Sequence, residues 1–189
     1  MPALKARIVA LRAKFVDAQL ATERADPLGF SPDTDGLAAF RLLAHAEFED
    51  YLETKARDGL TTMEAGFRGG ASTIRQNLSV LVIALVLPRQ VRFELAHWTT
   101  DVIDLINAAR EWIGKNNGIK DVSFTMLSIF SGKMPDEVDG ALSASLSSYG
   151  TSRGDVAHKS ATRVATIQAP SSEAQAVDDL VTALDSYFA

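Results

Sequence analysis

The stretch Leu37-Ala-Ala-Phe-Arg-Leu-Leu-Ala-His-Ala-Glu-Phe-Glu-Asp-Tyr-Leu52 decides the fold class of this chain. Its large apolar residues recur at every third or fourth position, a spacing that places side chains on one face of an α-helix. The acidic residues fall between them and form the opposite face. The pattern predicts an amphipathic helix that begins near Asp33 or Asp35, since either residue can cap it, and that ends near Arg57.

Segments with the same spacing lie on both sides of this helix, separated by glycine or proline. The predicted helices are residues 3–24, a segment capped by Ser72 or Thr73 and ended by Pro88, residues 101–113, residues 122–131, a segment from about Pro135, and a last helix with Ser172 and Gln175 as its capping box. The segment before Pro88 is apolar nearly all round, so we expect it to be central and buried. Residues 59–70 are expected to form a break, and residues 90–98 alternate as in a short strand.

Together these segments predict an all-α fold, an up-and-down helical bundle with additional short helices. The chain has 189 residues, of which 47% are apolar and 23% are charged, and these values suit one globular domain with a sizeable core. We therefore expect a single domain over residues 1–189. Within it, residues 1–30 are expected to be an N-terminal helix and loop that serve as an accessory or dimer-forming element.

The composition also limits the function. The chain has no cysteine, which excludes disulfides, thiolate metal sites and a cysteine nucleophile. Its net charge is −5, so any contact with nucleic acid must be local. The longest apolar run, residues 78–87, is too short to span a bilayer, and the N-terminal segment does not have the form of a signal peptide. We expect a soluble, cytoplasmic protein with no membrane partner.

Two segments place a histidine five residues after an arginine, Arg92–His97 and Arg153–His158. The spacing alone does not distinguish them, but their neighbours do, because apolar residues surround the first pair. The second pair has polar neighbours, Ser152, Gly154, Asp155 and Lys159. The chain has no histidine arrangement typical of zinc sites, no phosphate-binding glycine loop and no G-x-S-x-G. A metal site and a cofactor are therefore not expected.

An arginine and a histidine five residues apart on a helix lie about 140° from each other around the axis, so they would flank a groove. An imidazole can take or give a proton at neutral pH, and a guanidinium can hold a phosphate with two hydrogen bonds. These are the two groups needed for metal-free cleavage of RNA, in which the 2′-hydroxyl is the nucleophile. A hydrogen-bonded pair with a purely structural role remains the alternative at this point.

Three segments resemble the HEPN superfamily, and most closely its RiboL-PSP-HEPN type. They are Arg153-Gly-Asp-Val-Ala-His158, Asn117-Gly-Ile-Lys120 with the following Phe124 and Leu127, and the early helix around Leu42–Leu52. The resemblance covers roughly residues 35–188. It implies a helical bundle that forms a homodimer, in which the motifs of two subunits face each other across a cleft.

The same resemblance implies a metal-independent endoribonuclease with a role as a toxin, in phage defence or in RNA processing. Carried onto this chain, His158 is the general base or acid, and Arg153 stabilises the transition state. Many relatives have Asn, Asp or His where this chain has Gly154, so Ser152 or Asp155 would substitute for that polar group. Ser152, Asp155 and Lys159 are the expected RNA-binding residues. RNA, a second subunit and an antitoxin or operon-encoded protein are the expected partners.

Two other functions fit the same fold, because fold does not determine function. The first is a non-catalytic helical module for dimerisation or partner binding in a defence or regulatory complex. The second is nucleotide binding in the cleft that would otherwise hold RNA.

Overall fold

The computed structural model describes residues 1–90, 101–158 and 167–189, and for Gln90 and residues 153–158 it describes the backbone alone. Every regular element in these ranges is a helix, which confirms the predicted all-α bundle. The helices are α1 (Pro2–Phe15), α2 (Asp17–Ala25), α3 (Thr34–Arg68), α4 (Ile74–Gln90), α5 (Val102–Gly114), α6 (Asp121–Phe130), a short 3₁₀ helix (Pro135–Glu137), α7 (Gly140–His158) and α8 (Pro170–Tyr187). None of the helices described here is both long and apolar enough to cross a membrane.

The chain divides into two compact units. Unit 1 combines Met1–Tyr51 with Gly140–Ala189, and unit 2 is Leu52–Asp139. The long helix α3 contributes its first half to unit 1 and its second half to unit 2. A single domain over residues 1–189 stays a prediction. Unfolding of both units in one transition would support it.

The N-terminal segment forms two helices rather than the single one predicted over residues 3–24. The backbone leaves the helical region at Val16, where φ is −122° and ψ is −44°. Val16 is fully buried, and the turn there shifts the buried face, so Leu20 is buried while Ala18 is exposed. Both α1 and α2 pack on α8, which makes the segment part of unit 1.

Helix α3 starts as predicted, because the Asp33 carboxylate accepts a hydrogen bond from the Gly36 backbone N–H at 3.0 Å. The predicted end near Arg57 is wrong, since the helix continues to Arg68. The apolar spacing persists through the expected break, where two further residues, Leu60 and Met63, are buried. The helix ends at the adjacent glycines that follow, where Gly70 has a φ of +65° that only glycine adopts readily.

Gly59 lies inside α3 because another segment of unit 2 approaches it closely. A Cβ atom at this position would lie 2.4 Å from the backbone oxygen of Phe130 and 2.6 Å from the Cα of Ser131. Both contacts are with backbone atoms at the end of α6, which cannot rotate away. This glycine therefore permits helix packing and does not end the helix.

Helix α4 is capped as predicted at Thr73. Its hydroxyl accepts from the Gln76 N–H at 3.1 Å, and the Gln76 side chain accepts from the Thr73 N–H at 2.8 Å. The expectation that this helix is buried all round is wrong. Val80, Ile83 and Leu87 face the core of unit 2 against α5 and α6, while four large aliphatic residues are exposed. Those exposed residues are Ile74, Leu78, Leu81 and Leu85.

The end of α4 also differs from the prediction, since Pro88 lies in its last turn and the helix continues to Gln90. Helices α5 and α6 occur where predicted, and the Asp101 carboxylate caps α5 by accepting from the Ile103 N–H at 2.8 Å. The turn between them contains Gly118 with a φ of +87°. Of the residues 90–98 that were predicted to alternate as in a strand, Gln90 is instead the last residue of α4, and residues 91–98 lie outside the described residues.

The predicted capping box of the last helix is wrong, because α8 begins at Pro170 and contains Ser172. Proline is favoured at the first position of a helix, where no partner for its missing N–H is needed. At this end of α8 the cap is a carboxylate of α2: Glu23 accepts from the Ser171 N–H at 3.1 Å and from the Ser171 hydroxyl at 2.9 Å. Helix α8 is thereby joined to α2.

Candidate functional site

Helix α7 carries four of the five residues that the sequence assigns to the candidate site. Ser152, Arg153, Asp155 and His158 lie on its last two turns, and the backbone is helical through Gly150 and Gly154 without a break. Ser152 is half-buried. Lys159 lies outside the described residues, as do Arg92 and His97 of the other arginine–histidine pair.

The backbone register separates the two motif positions around α7. Position 153 falls about 40° from Tyr149, four residues earlier, and about 20° from Leu142 on an ideal helix. Leu142, Leu146 and Tyr149 are buried, so position 153 continues the stripe of the helix that is packed in unit 1. Position 158 lies about 140° further around the axis. The helix therefore brings the two positions onto one rigid element but onto different faces.

A buried ion pair lies beside the turn that precedes the motif. The Arg41 Nε donates to Glu173 Oε2 at 3.1 Å, and Arg41 Nη2 donates to Glu173 Oε1 in a second, parallel bond. The side chains are only 5% and 3% exposed. Because a buried charge is costly unless it is paired and hydrogen-bonded, this bidentate geometry is what allows the guanidinium and the carboxylate to lie in the core.

Two backbone groups complete this cluster. Glu173 Oε1 also accepts from the Gln168 N–H at 2.9 Å, and the Tyr149 hydroxyl donates to the Arg41 carbonyl oxygen at 3.4 Å. Burial and the nearby Glu173 carboxylate raise the pKa of Tyr149, so its phenol keeps its proton at all physiological pH values. The cluster therefore connects α3, α7 and α8 within unit 1.

His45 lies one turn after Arg41 and is 1% exposed. Its ring stacks on Tyr149 with a centroid distance of 6.4 Å and an interplanar angle of 10°. Its Nδ1 is 4.0 Å from Glu49 Oε2, and Phe48 packs edge-on against the same tyrosine at 5.8 Å. The histidine that the sequence groups with the early helix is therefore part of the core beneath α7.

The arginine and histidine of α3 are four residues apart and so do not match the pattern that singled out Arg153–His158. A signal for them was nevertheless present, because position 41 follows Leu37 by four residues and lies on the face that the apolar pattern assigns to the core. Their burial prevents contact with a polymer substrate. Arg41 and His45 can affect chemistry only through the residues that they hold.

The polar clusters of unit 2 lie at its surface. Glu64 binds Arg68 at 2.7 Å and Arg110 at 2.6 Å, and hydrogen bonds from these two guanidinium groups, Arg68 first, lower the pKa of the Glu64 carboxyl. Glu137 accepts from the Met134 N–H and from Arg75, which lowers its pKa in the same way. Each carboxylate is paired with arginine, and this arrangement is typical of a surface ion pair that joins helices.

The described residues include no group of three or more histidine, aspartate or glutamate side chains that could hold a metal ion. Comparison of the chain with known protein families, with curated proteins and with solved structures finds no match.

Proposed function

We propose that the protein is a metal-independent endoribonuclease that cleaves RNA with Arg153 and His158. The observation that supports this most directly is the unbroken α7, which carries both residues on one rigid element despite Gly150 and Gly154. Catalytic groups on a helix are held more accurately than groups on a loop. The buried cluster beside the preceding turn is a second support, since it fixes that helix in unit 1.

The proposed reaction needs only these two side chains and the substrate. The His158 imidazole removes the proton from the 2′-hydroxyl, whose oxygen attacks the adjacent phosphorus. The bond from phosphorus to the 5′-oxygen breaks, and the imidazolium returns its proton to that leaving oxygen. The Arg153 guanidinium stabilises the negative charge that builds up on the phosphoryl oxygens. The products are a 2′,3′-cyclic phosphate end and a 5′-hydroxyl end.

The residues around the pair would bind the substrate. Lys159 is proposed to neutralise a backbone phosphate, and Ser152 or Asp155 to supply the polar group that Gly154 lacks. A homodimer in which two such helices face each other would double the positive charge in one cleft, which a chain with a net charge of −5 needs for contact with RNA. A toxin, phage-defence or RNA-processing role, with an antitoxin or operon-encoded partner, belongs to the same proposal.

The test is RNA cleavage in the presence of EDTA. We expect the wild type to cleave and His158→Ala to lose at least about a hundredfold in rate, the usual contribution of a general acid or base. His97→Ala is the matched control, because this histidine also follows an arginine by five residues, and it should cleave like the wild type. The proposal is wrong if the wild type leaves RNA intact, or if His158→Ala cleaves as fast as the wild type.

A non-catalytic association module is the second candidate, and the exposed face of α4 favours it. Ile74, Leu78, Leu81 and Leu85 follow the alternating four- and three-residue spacing of helices that pair side by side. Ile74 is 80% exposed and Leu85 is 63% exposed, and α4 contains no acidic residue. If a second copy of the chain covers this face, Leu85→Glu lowers the sedimentation coefficient to that of a monomer. Val9→Glu, at an equally exposed aliphatic residue of α1, leaves it unchanged.

A further inference from the structure

The segment that carries the motif begins and ends at one buried ion pair. It spans residues 150–167, between Tyr149 and Gln168. At its start, the Tyr149 hydroxyl donates to the carbonyl oxygen of Arg41. At its end, the Gln168 N–H donates to the Glu173 carboxylate, which in turn binds the guanidinium of the same arginine. The two ends of the segment are thus attached to one pair of residues.

Each attachment belongs to well-packed surroundings. The buried Tyr149 ring contacts both His45 and Phe48, which fixes the position of α7 one turn before Arg153. At the other end, Ile167 packs on the buried Ala38 of α3. The attachments therefore fix α7 at Tyr149 and the chain at Gln168 within unit 1.

The ion pair cannot contact RNA, because its two side chains are more than nine-tenths buried. It is also a poor source of stability, since the desolvation of two buried charges offsets most of their attraction. Its directional hydrogen bonds do specify one arrangement of α3, the Gln168 backbone and α8, which a contact between apolar side chains would leave free to adjust. The pair therefore suits a role in alignment.

We propose that Arg41 and Glu173 are positioning residues that align Arg153 and His158 by fixing both ends of residues 150–167. This inference rests on the proposed ribonuclease function. It predicts a specific kinetic pattern: because the pair touches no substrate, its loss lowers kcat and leaves KM nearly unchanged. Small displacements of catalytic groups are costly, so a loss of about tenfold to a hundredfold in kcat is expected.

The test replaces Glu173 with glutamine, which keeps the shape of the side chain and removes its charge. The amide oxygen can take the place of Oε1, which accepts from both Arg41 Nη2 and the Gln168 N–H, but the amide NH2 then faces the Arg41 Nε–H, donor against donor, so the second bond of the bidentate pair is lost. Asp178→Asn is the matched control, because it removes a carboxylate of the same helix that binds Arg12 at 2.6 Å and is not attached to the motif segment. Cleavage of RNA is measured in EDTA, well below the melting temperature of each variant.

The second readout is amide hydrogen exchange, which does not depend on activity. Glu173→Gln should speed exchange in residues 150–158 and 168–172 and leave α1 and α2 unchanged, whereas Asp178→Asn should not affect residues 150–158. If the exchange of these residues and the kcat of Glu173→Gln both equal those of the wild type, the inference is overturned. If the wild type cleaves no RNA, the proposed function fails, and exchange alone decides whether the pair fixes the segment.

A milder pair of variants covers the case in which Glu173→Gln does not fold. Tyr149→Phe removes only the hydroxyl at the start of the segment, and Tyr51→Phe removes one from an equally buried tyrosine of unit 1 that packs on Phe188. Faster exchange in residues 150–158 with the first substitution and not with the second supports the inference. Equal exchange in the two variants contradicts it.

Discussion

Arg41 and Gly59 lie on the same helix and show two opposite ways of fixing α3 in its surroundings. In unit 1, the helix inserts a long charged side chain into the core, where Glu173 binds it. In unit 2, the helix has no side chain at all at the contact, and the backbone of Phe130 and Ser131 occupies the space where a Cβ would be. One contact depends on hydrogen bonds and the other on close approach.

The difference lies in what each contact tolerates. The ion pair depends on two partners. Removing one of them lowers the free energy of unfolding, whereas replacing both by apolar residues can leave it unchanged or raise it. The glycine contact depends on available space, so any side chain larger than hydrogen disturbs it, whatever its polarity. The contact at Arg41 is therefore sensitive to the charge and hydrogen-bonding groups of the side chain, and the contact at Gly59 is sensitive to its volume.

The largest expected effect is the loss of one partner of the ion pair. Glu173→Ala should lower the free energy of unfolding by about 3–5 kcal/mol, because it removes the carboxylate that binds the buried Arg41 guanidinium with two hydrogen bonds. Urea unfolding followed by circular dichroism measures this. The double variant Arg41→Met with Glu173→Leu should recover most of the loss, since a buried ion pair and an apolar pair of similar volume are often equally stable. A double variant as unstable as Glu173→Ala would contradict this account of unit 1.

A smaller loss is expected at the glycine contact. Gly59→Ala should cost about 1–3 kcal/mol, the usual range for overpacking, although alanine has the higher helix propensity. Gly114→Ala is the control, because nothing lies within 4 Å of a Cβ there. That variant should be neutral or slightly more stable. If the two substitutions have the same effect, the close approach of α6 does not limit position 59.

The smallest expected effect is the pH dependence of the surface ion pairs of unit 2. The pKa of Glu64 is lowered from its ordinary value of 4.5 in the folded state, so its contribution to stability is present above 4.5 and disappears as the pH falls through the lowered pKa. Glu64→Gln should therefore be less stable than the wild type at pH 7. The difference should vanish once the pH is below the lowered pKa. Unfolding curves at several pH values measure it, and a difference that persists in acid would rule out the carboxylate charge as its origin.

The sequence predicted the helices wherever apolar residues recur with a helical period, as in α3, α5 and α6. It misplaced the end of α3, because a glycine required by a close neighbour has the same local appearance as a glycine that ends a helix. It also misjudged α4, where eight consecutive apolar residues contain no periodic information about which face is buried. In that helix, the exposure of Leu81 and Leu85 depends on the positions of α5 and α6.

For the candidate site, the role of the two motif residues stays a prediction. Residue types and the resemblance singled out Arg153 and His158, and the helical spacing of α7 placed them on one element. The buried position of Arg41 could be inferred from Leu37, but its partner could not, since Glu173 is 132 residues away in the chain. Local patterns carry no information about such a pairing.

That separation has a consequence for how the chain can change over evolutionary time. A single substitution at either position passes through a state in which a buried charge has lost the opposite charge that binds it, so selection should remove that substitution before the second one occurs. Positions 41 and 173 should therefore change together or not at all, as arginine with glutamate or as two apolar residues. Among related sequences, positions 41 and 173 should therefore covary, although they are far apart in the chain.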